Sequence, residues 1–410
     1  MPATRHKSDA ITCRFVFGGG ADDVLSQWLG ADMRAARLSA AFRAYYLVRS
    51  LLPLPVRQFL QRHRSVECPP DWYLPQACIR ALAECISTTG DGVTAIHPWP
   101  DEADFAFVLT HDVETADGMR FVAKIADLEQ GLGHRSSWNI VPHKYPVDYG
   151  LLRELRERGF EIGIHGYNHD GKLFFSRTEF NRRATKINAT LQSFGAVGFR
   201  APMVHRNLAW MQALNIEYDA SCFDVDPYQA MPGGVGGVWP FIAGRFVELP
   251  YTLPQDHTLF VALRERDGRI WNRKLAYVAA LRGMALLLTH PDYLNSPGRI
   301  DIYRRLLSDV RERADVWHAL PREVAAWWRE RDRLSLRRDA DDNWHIEGPA
   351  ADRSRLVIVR PADKTGSVHP LSGDAADIAL PLQFEIATNR LRVRQPARVP
   401  SCQPRPVTTN

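Results

Sequence analysis

The segment FAFVLTHDVE, residues 105–114, decides the architecture. Phe105 to Leu109 form an unbroken apolar run, which suits a strand buried on both faces, as in a parallel sheet covered by helices. Only at its carboxyl end do polar groups arrive, with Thr110, His111, Asp112 and Glu114 close together. Comparable runs follow at Ser137 (SWNIV), Phe160 (FEIGIH), Val197 (VGFR), Ile216 (IEYDAS), Arg245 (RFVELPY), Met284 (MALLLTH) and Val316 (VWHAL). Between them lie amphipathic stretches, among them Gly118 to Gln130, Tyr149 to Arg158, Arg177 to Phe194, Asn272 to Arg282 and Ile300 to Glu312. Ser176 with Glu179 has the spacing of a capping box at the start of one of them. About eight strand-like runs alternating with helices predict an α/β fold, a (β/α) barrel.

Outward from that barrel the composition changes. Residues 1–100 read as a mostly helical extension, with a helix expected from Arg34 to Val48 and a proline-punctuated segment, LLPLPVRQFLQRHR, after it. Arginines alternate with apolar residues there. The preferred reading is a helix packed on the barrel, with peripheral contact to an anionic membrane face as the other reading. Residues 101–335 are the expected barrel, residues 336–394 a small β appendage (NWHIEG, RLVIVR, FEIATNRLRVR), and the proline-rich residues 395–410 a disordered tail. The glycine runs at Gly18-Gly19-Gly20 and from Gly233 to Gly237 lack the pattern of a phosphate-binding loop and read as turns.

Across 410 residues the chain is 45% hydrophobic and 24% charged, the balance of a soluble globular protein. A net charge of +5 over 52 basic and 47 acidic side chains gives weak support for a nucleic-acid partner, which needs a concentrated basic face, so none is expected. The six cysteines are scattered, none in a C-x-x-C pair, which fits a reducing compartment rather than a disulfide framework. The opening residues MPATRHKSDAIT lack the basic region and apolar core of a signal peptide, so none is expected, and no apolar run reaches the ~18 residues of a membrane span. The expected location is therefore cytoplasmic, with peripheral contact at the inner membrane face as an extension of that reading.

Barrel enzymes assemble their sites from the loops after the strands, and those loops converge here. They carry Asp112 and Glu114, then His165-Gly166-Tyr167-Asn168-His169, then Arg200-Ala201-Pro202, then Asp224-Val225-Asp226, and lastly His290-Pro291-Asp292. Two histidines four residues apart can share one metal ion, and a carboxylate from another strand completes a three-ligand set with open positions. Taken singly, each group has a plainer role: acids cap helices, an arginine forms an ion pair, a histidine is satisfied in the core. Their gathering at one barrel end favours a site. The segment from Glu248 to His257 leaves a strand at the same mouth, and Tyr251 and Asp256 are expected in the substrate wall. Trp138, Trp239 and Tyr251 are aromatic candidates for stacking on a flat face of the substrate.

The ordered motifs T-H-D-x-E, H-x-x-x-H, R-x-P, D-x-D-P and L-x-H resemble those of the NodB-like polysaccharide deacetylases, carbohydrate esterase family 4, over Phe105 to Asp292. The resemblance implies a distorted (β/α) barrel and a metal-dependent hydrolase that removes acetyl groups from amino sugars, or from sugar hydroxyls, of a polysaccharide or its precursor. It also implies a divalent metal ion, with zinc as the expected identity. Asp112 takes the place of the catalytic base, Glu114, His165 and His169 the metal ligands, Arg200 the group that orients the base, and His290 the general acid. Val113 stands between two acids that are adjacent in the family, so the roles of Asp112 and Glu114 are interchangeable at this level. Pro202, Asp224, Tyr251 and Asp256 are assigned to substrate binding, and Asp224, Asp226 and Tyr228 are the candidates for the group behind His290. The expected partner is a carbohydrate. Two other functions share these features: hydrolysis of a cyclic amide or similar C–N bond, and non-catalytic glycan binding.

Overall fold

The computed structural model describes residues 11–40, 42–44, 67–90, 92–362, 366–369 and 377–387. Its strands, in chain order, are β1 (Cys13–Arg14), β2 (Val93–Ile96), β3 (Phe105–Val113), β4 (Ser137–Ile140), β5 (Glu161–His165), β6 (Gly198–Arg200), β7 (Tyr218–Asp219), β8 (Phe241–Ala243), β9 (Phe246–Glu248), β10 (Met284–Thr289) and β11 (Val316–His318). The parallel pairings run β10, β3, β4, β5, β6, β7, β9, and β1 and β8 continue the edge in antiparallel fashion. Beyond β9 the chain crosses back to the start of this series. Isolated parallel bridges join Phe223 to Tyr251 and Leu253 to Leu287, and the Thr252 and Leu253 amides both donate to the Leu286 carbonyl at 3.1 Å. The first bridge extends the β7–β9 pairing and the second reaches β10, so a mostly parallel sheet curls until it meets itself at Leu253 and Leu287 rather than through a full ladder. The architecture is a distorted (β/α) barrel.

Every residue of β3, β4, β5, β6 and β10 is buried, as the continuous apolar runs require. Helices follow at Ala116–Gly131, Tyr149–Glu157, Arg177–Phe194, Arg269–Ala280 and Pro297–Arg311. The first three start at side-chain caps: the Thr115 hydroxyl accepts from the Gly118 amide at 2.9 Å, Asp148 from Leu151 at 3.0 Å, and Ser176 from Glu179 at 3.1 Å. Gly195, in the left-handed region at φ 56°, closes the third of these helices.

The flanks depart from the sequence reading. The amino-terminal helix is Gly19–Ala35, so Gly19 and Gly20 open a helix instead of a turn, and the helix ends where the Arg34 to Val48 helix was expected to begin. Helical backbone resumes at 40 and 42–44, and residues 45–66 lie outside the described residues. The early residues are not wholly helical either. Their strand β2, with β-branched Val93, Thr94 and Ile96, pairs with β14 (Leu356–Pro361), which pairs on its other side with β17 (Leu382–Ile386). Strands from both ends of the chain therefore share one small sheet, against which the helix Gln76–Ser87 packs. A separate hairpin is made by β12 (Ser335–Arg338) and β13 (Trp344–Glu347), and a two-stranded piece by β15 (Ser367–Val368) and β16 (Ile378–Ala379). Residues 388–410, including the proline-rich end, are outside the described set. Among the described residues no helix is long and apolar enough to cross a membrane.

Candidate active site

At the carboxyl ends of β3 and β5 the side chains of Glu114, His165 and His169 converge, with one potential ligand atom from each lying within 4.8 Å of the others. Glu114 Oε1 is 2.8 Å from His169 Nε2 and 3.4 Å from His165 Nε2. His165 is fixed by its other nitrogen: Nδ1 donates to the Arg200 carbonyl at 3.1 Å, which leaves the lone pair on Nε2. That Nε2 is buried and has no hydrogen-bond partner among the described residues. A buried imidazole nitrogen held in the acceptor tautomer and aimed at a carboxylate and a second histidine is what a divalent cation needs. Burial, more than the opposing pull of Glu114, keeps His169 below the usual histidine range, so it too is a neutral ligand. Burial on its own would raise the Glu114 carboxyl, but His169, His165 and His290 hold it well below the carboxylate range. The donor set therefore fits a divalent ion.

Backbone geometry sets up this cluster. His169 has φ 57° and Gly166 φ 64°, so the loop after β5 turns back through two left-handed residues. A Cβ on Gly166 would come within 2.4 Å of the Pro202 ring, so the close approach of the two loops depends on glycine.

Beside the ligand set stands Asp112, 2% exposed. Its Oδ1 accepts from Asn139 Nδ2 at 2.9 Å and from Arg200 Nη1 at 3.1 Å, and its Oδ2 lies 3.6 Å from His165 Nδ1. Burial would raise its pKa, but His165, Arg200 and His290 overcome that and keep it ionised. Arg200 is itself anchored, with Nε donating to the Ala220 carbonyl at 2.7 Å and Nη1 to the Thr110 hydroxyl at 2.9 Å. Asn139, which sequence reading did not single out, reaches Asp112 because Gly163 on the neighbouring strand has no side chain: a Cβ there would sit 2.2 Å from Asn139 Oδ1.

The third component is His290. Its Nδ1 and backbone amide both bond the Asp256 carboxylate at 2.7 Å, and its Nε2 faces Glu114 Oε1 at 3.7 Å. Burial alone would lower its pKa, yet Asp256, with Glu114 and Asp112 behind it, raises it to about 9. His290 is therefore protonated at neutral pH while burial keeps His169 neutral, and the carboxylate that makes the difference is Asp256 on His290.

The structure corrects part of the expected substrate wall. Asp256 is fully buried and serves as the carboxylate behind His290. Asp224 is not that partner and does not reach the mouth: it forms a buried ion pair with Lys274, and burial still raises it to about 7. Asp226 is taken up by Gln229 and Thr258 at 2.6 and 2.9 Å. Tyr251 is 1% exposed and stacks on Phe223 at 5.5 Å, so it belongs to the core. Trp138 and Trp239 are likewise buried, the former stacked on His111 at 4.0 Å. Pro202 does stay by the ligand set, lining a small cleft with His169, Tyr167 and Met203.

The mouth thus places a donor set that could hold a divalent ion beside an ionised carboxylate able to accept a proton and a charged imidazole able to give one. Comparison with family models gave no match, and comparison with curated proteins gave none. Among solved structures the chain is similar to a protein assigned as a polysaccharide deacetylase from Mycobacterium smegmatis, at 21% identity over 57% of this chain and 93% of that one, TM-score 0.48. It is also similar to Puue allantoinase, at 16% identity over the same shares, TM-score 0.45. A third is assigned as a polysaccharide deacetylase from Pseudomonas aeruginosa PAO1, at 15% identity over 57% and 93%, TM-score 0.44.

Proposed function

We propose that this chain is a NodB-like deacetylase of the family 4 carbohydrate esterases, a metal-dependent hydrolase that removes acetyl groups from amino sugars of a polysaccharide or its glycan precursor. The observation that carries the reading is the adjacency of three units at one barrel mouth: Glu114 with His165 and His169, Asp112 with Arg200, and His290 with Asp256.

Glu114, His165 and His169 would hold the divalent ion, with zinc the favoured identity given one carboxylate and two imidazoles. When bound, the ion supplies Lewis acidity toward the acetyl carbonyl and a lowered pKa for water. Asp112, ionised and with Oδ1 tied to Asn139 and Arg200, keeps Oδ2 to accept the proton of the attacking water. His290 gives its proton from Nε2 to the departing nitrogen, while Asp256 on Nδ1 orients the ring and stabilises the charged form. This assignment of the two acids is supported by Glu114 lying against Nε2 of both histidines, whereas Asp112 hydrogen-bonds Arg200 and Asn139.

The test is release of acetate from an acetylated amino-sugar oligomer, with the protein first stripped by a chelator and then given zinc. Acetate release that appears with the ion and is absent in Asp112→Asn supports the reading. Absence of any release across N- and O-acetylated glycans, with metal bound, would contradict it.

A further inference from the structure

A second cavity lies away from the mouth, near the amino end of β3. There β11 pairs with β3 at Phe105 to Phe107, while β4 begins pairing only at Thr110, so two strands leave the same edge of β3 and a notch opens between them. It encloses about 240 Å3, lined by Phe107 and Leu109, the turns that lead into β4 and β5, His318 of β11 and the first turn of the helix Pro321–Arg331.

Its chemistry is opposite to that of the mouth. His134 and His318 face each other with ring centroids 4.9 Å apart, both edge-on to Phe107. His134 Nε2 donates to the Leu307 carbonyl at 2.9 Å, whereas His318 Nδ1 is buried with no hydrogen-bond partner among the described residues. Arg135 on the wall is held by backbone carbonyls, Nε to Arg158 at 2.6 Å and Nη1 to His134 at 2.7 Å, contacts that fix the guanidinium without neutralising it. Arg322 is also in the lining, and the buried Glu161 carboxylate, which accepts from its backbone amide at 3.2 Å, lies near it. Arg311 stands behind Gly133, its Nε 3.0 Å from where a Cβ on that glycine would lie. The lining holds one carboxylate, Glu323, and its Oε2 is engaged by the Leu320 amide at 2.7 Å. Guanidinium groups around an apolar floor, one of them fixed by backbone carbonyls, suit the recognition of an oxyanion.

We propose that this notch is a second ligand site, which binds the phosphate or carboxylate group of a small anionic molecule between Arg135 and Arg322, with His318 Nδ1–H as a further donor. The volume admits the head group and a few attached atoms, not a glycan chain, so the occupant is a metabolite-sized anion distinct from the substrate of the mouth.

Calorimetric titration of the full-length protein with inorganic phosphate, and separately with malonate, tests this and tells a phosphate from a carboxylate ligand. Saturable binding of either is expected, weakened about tenfold or more in Arg135→Ala/Arg322→Ala. The single variants Arg322→Gln and His318→Gln, which keep the side-chain bulk, are expected to weaken it by a smaller factor if the double variant fails to fold. Failure of both anions to bind, or binding of undiminished affinity in the variants, overturns the proposal. Acetate release at the mouth is read in parallel and is expected to be unchanged, so loss of this site is distinguishable from loss of the enzymatic one.

Discussion

The barrel carries two histidine pairs of nearly the same geometry, with opposite surroundings. At the mouth, His165 and His169 have ring centroids 5.2 Å apart and face the carboxylates of Glu114 and Asp112. In the notch beside β3, His134 and His318 are 4.9 Å apart and face Phe107 and arginines. Ring proximity is common to both, so it cannot be what defines a cation site. The difference lies in the charge of the second partner and in which nitrogen is left as an acceptor. The mouth collects negative charge around a free lone pair, and the notch collects positive charge around two neutral rings, His318 being pushed down to about 4 by burial, His134 and Arg311.

The most severe way to break the mouth is to remove its proton acceptor. Asp112→Asn keeps the shape and the bond to Asn139 or Arg200 but loses the base, and turnover should fall by about 10²- to 10⁴-fold, measured as acetate release, with far-UV circular dichroism unchanged. Next comes Asp256→Asn. His290 is protonated below about 9 because Asp256 faces it, so a general acid there stays competent up to that pH and fails as pH rises through it. The variant should move the alkaline limb of the kcat profile to lower pH by about one unit or more, in addition to lowering kcat. An unmoved limb would separate His290 from the acid role.

Gly163→Ala tests a finer point. Its Cβ would fall 2.2 Å from Asn139 Oδ1, so Asn139 must swing from Asp112 or the strand must shift. A loss of about 1 to 3 kcal/mol in stability is expected from the overpacking, read by denaturant titration, with a kcat loss larger than that of Asn139→Ala alone. The smallest effect belongs to the notch: Arg322→Gln should leave kcat within about twofold of the parent. A tenfold fall would mean that the two regions are coupled through β3.

Much of this was legible before any coordinates. The run from Phe105 to Thr110 announced a fully buried strand, and the helix Arg177–Phe194 has the bounds expected of it and starts after its Ser176 cap. Glu114, His165, His169, Arg200 and His290 were readable because each sits just after an apolar run, where a parallel barrel gathers its loops. Asp256 and Asn139 were not readable as partners. Asp256 lies in an irregular segment that crosses the mouth, and its pairing with His290 depends on barrel closure through Tyr251 to Leu253, which no local pattern encodes. Asn139 sits inside a strand that reads as core, and its role follows only from the register that puts it opposite both Asp112 and Gly163. Asp224 and Tyr251 misled for the converse reason: polar residues at a strand end look like a rim, but here they fold inward onto Lys274 and Phe223. The helix Gly19–Ala35 escaped notice because its opening glycines are poor helix formers, and its burial against the rest of the chain outweighs that preference.

The central claim is that the mouth is a cation site built from Glu114, His165 and His169. Its direct test is metal stoichiometry by elemental analysis of the purified full-length chain after zinc loading and desalting, set beside His165→Ala/His169→Ala with the same circular dichroism. One equivalent retained by the parent and none by the double variant is the predicted result. Equal retention by both, or none by a fully folded parent, would contradict it.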